Sequence, residues 1–356
     1  MTAKVYLLRT RDSLPVEEQA IAMRRIYEAS GAASVIAPRD FVAIKLHVGE
    51  KSNTTYVKPA LIRELVQKIW EVEGVPFLTE TSTLYKGERE NAVKHIMHAH
   101  RHGFGIESVG APFIMADGLN GVAEHEVVID GELHQSVKVA QEVMNADALL
   151  VVSHPTGHPA TGLGACIKNI GMGLASRMGK MRQHAAMLPE IMVDKCKFCK
   201  KCIQWCPEGT IVEKDEHAFI IQDRCIGCGE CLAVCRFDAV KYDWGRESGF
   251  LQKSMAEHAC GALQGKQGKC FFFNVAIDMT KDCDCFNVNQ TKMIPDIGVL
   301  ASSDPVAIDK ATLDLTAAAH GKSLAEMSYA HHNAMIQIEH AAKLGMGTLE
   351  YELIEI

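Results

Sequence analysis

Short hydrophobic runs alternate along this chain with segments whose apolar positions recur at helical spacing. "KVYLLR", "FVAIKLHV", "VPFLTET", "APFIMAD", "HEVVID" and "ADALLVVSH" read as strands, and "CFFFNVAID" and "DIGVLAS" follow much later. "PVEEQAIAMRRIYEAS", opened by Pro15, and "KPALIRELVQKIWEVEG", ending at Gly74, read as helices, as does the segment around Asn91 to His102. Strands that are apolar almost throughout, set between helices, predict a mostly parallel sheet covered on both faces. At "SDPVAIDKATLDL" an aspartate precedes a proline, so Asp304 is expected to cap a helix before it is expected to act as an acid.

The pattern breaks once, between two cysteine runs. The predicted fold class is therefore α/β: a discontinuous, mostly parallel sheet domain over 1–190 and 244–356, with an α+β ferredoxin-like two-cluster module inserted at 191–243. "CKFCKKCIQWCP" supplies Cys196, Cys199, Cys202 and Cys206; "CIGCGECLAVC" supplies Cys225, Cys228, Cys231 and Cys235. Each is C-x2-C-x2-C-x3-C, the bacterial ferredoxin run, whose fourth cysteine ligates the other cluster. One 4Fe–4S cluster is thus expected on Cys196, Cys199, Cys202 and Cys235, and a second on Cys225, Cys228, Cys231 and Cys206. Zinc sites use paired C-x2-C units with longer gaps and fit the doubled run poorly. Pro207 follows the first run as expected, whereas Arg236 stands where a second proline would. Between the runs, "IVEKDEHAFIIQ" alternates as a hairpin with Lys214, Asp215 and Glu216 at its turn.

Composition narrows the function classes. At 356 residues, 47% hydrophobic and 23% charged, the chain has an ordinary globular balance. Its net charge of -7 argues against nucleic acid as a general partner. The start "MTAKVYLLRTRDSLP" has no signal-peptide pattern, and no segment is long and apolar enough to cross a membrane. A cytoplasmic location is expected, where 13 cysteines read as metal ligands and reduced thiols rather than disulfides. Lys195, Lys197, Lys200 and Lys201 surround the first run. Positive charge there favours the more negative reduced cluster, or forms a solvated rim, and either is compatible with docking of an acidic redox partner.

Candidate chemistry outside the module lies at strand ends, where open α/β sheets bind ligands. The glycine-rich stretch from Ser153 to Lys180 matches neither nucleotide-binding fingerprint. It follows an apolar strand, however, and carries His154, His158, Lys168 and Asn169, with Lys180 and His184 close behind. "KLHVGEKSNTT" offers Lys45, His47, Glu50 and Asn53, as a site or an ordinary polar loop. His95, His98 and His102 share a helix face that reads as solvated, because its flanks are polar. Cys166 reads as a small buried residue.

Several segments together resemble a known family: "AIKLHVGEKSNT", "LTETSTLYKG", "GAPFIMADGLNG", "ADALLVVSHPTGHPATGLGACIKNIGMG", "DCDC" with "IPDIGVLASSDPVAIDKA", and "QIEHAAKLGMGTLEYELI". These are similar to the uncharacterised iron–sulfur centre proteins of domain-of-unknown-function family 362, in their ferredoxin-containing form. The resemblance spans essentially the whole chain. It implies a redox or metal-related role without a reaction, and a histidine before the closing helix, here His331 or His332. It also makes the "CDC" pair a family feature. Cys283 and Cys285, one residue apart, are expected to hold an additional metal with Cys260, Cys270 or a histidine, or to remain reduced thiols.

Two functional readings follow. In the first, the clusters deliver electrons to an unknown small molecule, cofactor or metal in an oxidoreductase site lined by His47, His154, His158, Lys168, Asn169, Cys283 and Cys285. In the second, the chain is a dedicated electron carrier or maturation partner.

Overall fold

In the computed structural model, residues 2–184, 188–225, 227, 229–241 and 247–356 are described. Cys228, and the expected exit from the insert at 243, lie outside them. Eight strands form one sheet: β1 (Ala3–Arg9), β2 (Phe41–Lys45), β3 (Val75–Glu80), β4 (Phe113–Met115), β5 (Ala148–Ser153), β6 (Cys270–Ala276), β7 (Gly298–Ser302) and β8 (Tyr351–Glu355). Their order is β8-β1-β7-β6-β5-β2-β3-β4. Only β7 opposes its neighbours, pairing antiparallel with β1 and β6 while every other pair is parallel. The sheet is mixed and mostly parallel, as the apolar strands predict.

Alternation sends successive side chains of each strand into two different cores. Leu149, Val151 and Phe272 enter one; Leu150, Val152, Phe271 and Phe273 enter the other. Helices α1 (Val16–Ser30) and α2 (Pro59–Glu71) cover the second face through Met23, Ile26, Leu61, Ile62 and Leu65. Burying each such aliphatic side chain contributes about 1.5–3 kcal/mol, which explains runs apolar at every position. The helix α3 spans Ala92–Arg101, capped by the Asn91 side chain on the Lys94 N–H. The first face is covered by α4 (Cys166–Gly171), α6 (Ser248–Leu263) and α7 (Pro305–His320), with α5 (Arg177–His184) between α4 and the insert.

Caps behave as their chemistry requires. Asp304 accepts from the Val306 and Ala307 N–H groups at 2.9 and 2.8 Å, and from Thr348 N–H at 3.0 Å, so it is a structural cap. Asp309, fully buried on α7, accepts from the first N–H groups of α4, at Cys166 and Ile167, and from Asn274. Burial raises its carboxyl to about 6, against those three hydrogen bonds. The helix carrying Lys168 and Asn169 is thus pinned to the sheet. Past α2, the left-handed residue is Glu73; Gly74 is needed for space, since a Cβ there would stand 2.7 Å from Ile69 Cγ2.

Two strands depart from expectation. "HEVVID" forms a separate hairpin, Glu124–Val128 against Ser136–Ala140, burying Val127 and leaving Glu126 and Val128 exposed. β8 pairs with β1 at the sheet edge, a strand the short "YELIE", with a glutamate at either side of its apolar residues, does not announce.

The insert leaves after α5 and is closed at its base by a ladder of Glu190–Ile191 with Val240–Lys241. It contains two short helices, Lys201–Trp205 and Glu230–Val234, and the hairpin Ile211–Lys214 with His217–Ile220. The hairpin turns on Asp215 and Glu216, both at positive φ, the two-residue turn that matches strand twist.

Candidate functional site

Four neighbouring parallel strands, β6, β5, β2 and β3, end on the same edge of the sheet. Beyond those ends lies a cleft of about 840 Å³. β2 contributes Lys45 and, just after it, His47 and Glu50; β3 contributes Glu80, followed by Tyr85 and Arg89. β5 leads to His154 and His158, α4 adds Lys168 and Asn169, and α5 adds Lys180 and His184. The loop after β6 carries Cys283, Asp284 and Cys285 into the same space.

The two cysteines occupy unlike environments despite their spacing. A tight turn joins them, with the Phe286 N–H donating to the Cys283 carbonyl at 3.0 Å. Cys283 Sγ accepts from Lys168 Nζ at 3.3 Å and from the Cys285 N–H at 3.4 Å. Its thiol is lowered by hydrogen bonding from Cys285, against the cost of burial, with the Lys168 charge adding to the fall. The Cys285 thiol is raised well above its ordinary value by donating to Cys283 and by burial. The arrangement holds one thiolate and one thiol. Elsewhere burial does the opposite: it pushes Cys270 up to about 12 and, with Asp309 and Asp304 adding, Cys166 well above the ordinary range.

Asp284, between the two, turns away from them. Its carboxylate accepts from His154 Nδ1 at 2.8 Å and from Thr55 Oγ1 at 3.2 Å, while His154 Nε2 donates to the Ile277 carbonyl at 2.9 Å. Burial opposes charge on both groups, yet the Asp284 charge raises the His154 imidazole, and His154 helps hold Asp284 down at about 2. His154 is therefore a charged structural tie that anchors the cysteine loop.

The rest of the cleft is a buried charge network. Lys45 Nζ donates to Asn169 Oδ1 at 2.6 Å and lies 3.6 Å from Glu80 Oε1. Arg89 donates to Glu50 at 2.8 Å and to the Tyr85 hydroxyl at 2.5 Å, and stands 3.6 Å from Glu80. Burial lowers Lys45 to about 8 despite Glu80, and burial lowers Lys180 to about 7 despite Asp117. Glu80 stays well below the usual carboxylate range: burial pushes it up, but His47, Lys45 and His95 outweigh that. Burial, then Arg89, depresses His47; burial, then Lys168, depresses His158. Buried lysines able to lose a proton near neutrality are a common mark of functional sites.

The sequence-derived residues sort as follows. His47, His154, His158, Lys168, Asn169, Cys283 and Cys285 all line this one cleft, and so do Lys45, Glu50, Lys180 and His184. Asn169 is fully engaged, donating to the Val152 carbonyl and Ser153 Oγ at 3.0 Å each, so it positions Lys45. Asn53 is a turn former, accepting from the Thr55 and Tyr56 N–H groups. The solvated face expected of the α3 histidines is a correction: His95 and His98 are buried. His95 donates to Glu80 Oε2 at 2.9 Å, His98 to the Gly49 carbonyl at 2.9 Å, and His102, on the same row, to the Val48 carbonyl at 2.8 Å. They clamp the loop that follows β2. His332 meets the Pro159 carbonyl beside the cleft.

Cys260 and Cys270 are not brought to Cys283 and Cys285. Cys260 lies within α6, and Cys270 opens β6 at the opposite end of the strand from the cysteine loop. Among the described residues no three His, Cys, Asp or Glu side chains group around a single ion. Glu80, Tyr85, Arg89 and Asp284 were not singled out from sequence. The strand-end rule applied to "FVAIK" would have found Glu80, the last residue of "VPFLTE".

In the insert, Cys196, Cys199, Cys202 and Cys235 wall one small cavity, and Cys206, Cys225 and Cys231 wall another. Backbone N–H groups of Thr210 and Ala239 donate to Cys206 Sγ and Cys235 Sγ at 3.3 and 3.4 Å. Thiols grouped at two points, with N–H donors on the sulfurs, fit iron–sulfur clusters. The insert also touches the cleft wall. Leu232 packs with Met181 of α5 and with Leu84, and Lys86 pairs with Asp238 at 2.5 Å. Gly229, at φ 76°, approaches so closely that a Cβ would stand 2.3 Å from Met181 Cγ. Leu84 and Lys86 themselves line the cleft.

Known proteins resemble this chain in parts. Pyruvate synthase subunit PorD of Methanothermobacter marburgensis is 37% identical over 81 residues, 23% of this chain and 93% of that protein. Ferredoxin-1 of Caulobacter vibrioides is 38% identical over 55 residues, 15% of this chain and 49% of that protein. The chain thus spans about half of that ferredoxin's length. Among solved structures, the lactate racemase apoprotein from Thermoanaerobacterium thermosaccharolyticum aligns with 77% of this chain and 50% of its own, at 11% identity and a TM-score of 0.37. Likeness that remote bears on neither substrate nor mechanism. The ferredoxin-like segment is of the 4Fe–4S type and points to electron transfer. Residues 42–314 match the family described as Domain of unknown function (DUF362), and with most of its length inside that match the chain belongs to this family.

Proposed function

We propose that this chain is an iron–sulfur redox protein in which two 4Fe–4S clusters exchange electrons with a small molecule bound in the strand-end cleft. One cluster would be held by Cys196, Cys199, Cys202 and Cys235, the other by Cys206, Cys225, Cys231 and Cys228. Bound there, the clusters supply single electrons at low potential. The observation that carries the reading is the apolar contact of Leu232 with Met181 and Leu84, which seats the insert on the wall of the cleft. Lys45, Lys168 and Lys180 suit an anionic ligand, and Asn169 holds Lys45 in place. Cys283 and Cys285 enter as thiols of the cleft, and the cation beside Cys283 is the Lys168 ammonium.

A second reading, a dedicated carrier, draws on the first cysteine run of the insert. Lys195, Lys197 and Lys200 are exposed there around an exposed Cys199, a surface suited to an acidic redox partner. The test is the iron, zinc and acid-labile sulfide content of anaerobically purified protein, followed by dithionite reduction. The same measurement is made on a Cys283→Ser, Cys285→Ser double variant. Eight irons per chain in both, from two 4Fe–4S clusters, is the expected result. Additional metal lost only in the double variant would return a metal to the cysteine loop; protein without reducible iron would overturn both readings.

A further inference from the structure

Among the described residues, Cys283 is the one cysteine outside the insert that faces a cation at hydrogen-bond distance and a second thiol at once. The turn closed by Phe286 holds the two residues together, Lys168 Nζ lies 3.3 Å from Cys283 Sγ, and the Tyr85 hydroxyl fixes the loop by donating to the Cys285 carbonyl at 3.3 Å. Buried structural cysteines need none of this. Neither does a metal site, which an ammonium on the sulfur disfavours. A thiolate next to a resolving thiol is the arrangement of thiol–disulfide exchange.

We propose that Cys283 and Cys285 form a redox-active dithiol that reduces a small, anionic disulfide in the cleft and becomes an intramolecular disulfide. The inference rests on the reading of the cleft as the electron-exchange site. The Cys283 thiolate attacks one sulfur of the substrate disulfide; the substrate S–S bond breaks and one thiolate leaves. Cys285 then gives up its proton and attacks Cys283 Sγ. The mixed disulfide breaks, and the second thiolate leaves with that proton. The substrate gains two electrons and the protein holds a Cys283–Cys285 disulfide. Two electrons, one at a time from the iron–sulfur insert, and one proton restore the thiolate and thiol. A two-electron couple beside two one-electron carriers explains why the insert and the cysteine loop share one cleft. Lysine and arginine side chains outnumber carboxylates along its lining, which selects the anionic substrate.

The experiment uses anaerobic holoprotein and two probes, glutathione disulfide and the cationic disulfide cystamine. Samples are quenched in acid, alkylated, and the peptide spanning the pair is weighed. Wild type is expected to form the intramolecular disulfide, at least about tenfold faster with the anionic probe, as electrostatic focusing in a charged cleft predicts. Cys285→Ser should trap a glutathione adduct on Cys283; Cys283→Ser should trap none. Two fully alkylated thiols in wild type, or an adduct on Cys285 in place of Cys283, would overturn the assignment. Dithionite titration separates the two layers of the argument. Oxidised wild type should consume two more reducing equivalents than Cys283→Ser. Reducible clusters without that difference sink the dithiol alone, and absence of reducible iron sinks the electron-exchange reading beneath it.

Discussion

The insert and the cleft make opposite use of the chain. In the insert, the thiols of each cavity come from two short runs between Cys196 and Cys235, and spacing alone specifies their geometry. In the cleft, Lys45, Glu80, Lys168 and Cys283 come from four segments spread over more than two hundred residues, and only strand order brings them together. One region is a local motif that imposes its fold on the ligand loops. The other is a meeting point that the sheet creates. Damage to the first should therefore stay local, whereas damage to the second should travel through the scaffold.

The largest effect should come from the insert. Cys202→Ser removes a corner thiol from the four-cysteine cavity and should lose about half of the iron, measured with labile sulfide. Because metal binding energy is folding energy in so small a unit, the hairpin Ile211–Ile220 should also become protease-sensitive. The cleft should be untouched, so the alkylation rate of Cys283 is expected to stay at the wild-type value; a parallel change there would break the contrast.

Next in size is Asp284→Asn, which should cost about 3 kcal/mol in urea unfolding by leaving charged His154 without its buried partner. Its pH dependence has a definite sign. The Asp284 carboxyl is held at about 2 against an ordinary 3.8, so its stabilising contribution is present above pH 4 and lost as pH falls towards 2. The gap between wild type and variant should close on acidification. A gap constant from pH 6 to pH 2.5 would refute the ion pair. Iron content should not change.

Lys168→Met should affect stability less and chemistry more. Without the ammonium, the alkylation midpoint of Cys283 should rise by roughly one to three pH units, the usual range for loss of an opposite charge at this distance. An unmoved midpoint would assign the lowered thiol to the Cys285 hydrogen bonds alone. The smallest effect should be Glu216→Gly, which relieves a left-handed residue at the hairpin turn and should stabilise the insert by about 1 kcal/mol. The readout is the temperature at which the cluster absorbance bleaches, and a fall in it would contradict the turn geometry.

By itself the sequence determined most of the elements and the grouping of thiols. Apolar strands between amphipathic helices implied a parallel sheet because both faces had to be covered, and Asp304 before Pro305 announced its own cap. C-x2-C-x2-C-x3-C carries its geometry in its spacing. Tertiary structure decided everything that depended on which strand lies beside which. It added β8, whose two glutamates are tolerated at an edge, and moved "HEVVID" out of the sheet. His95 and His98 read as solvated because their neighbours along the helix are polar, and are buried because the loop after β2 and Glu80 supply partners no helical pattern reveals. Asp284 has no signal of its own in the sequence, and became a buried ion pair once β6 delivered it to His154. Spacing encodes what a few consecutive residues can hold. Charges that meet across a sheet become partners only when folding has removed the water between them.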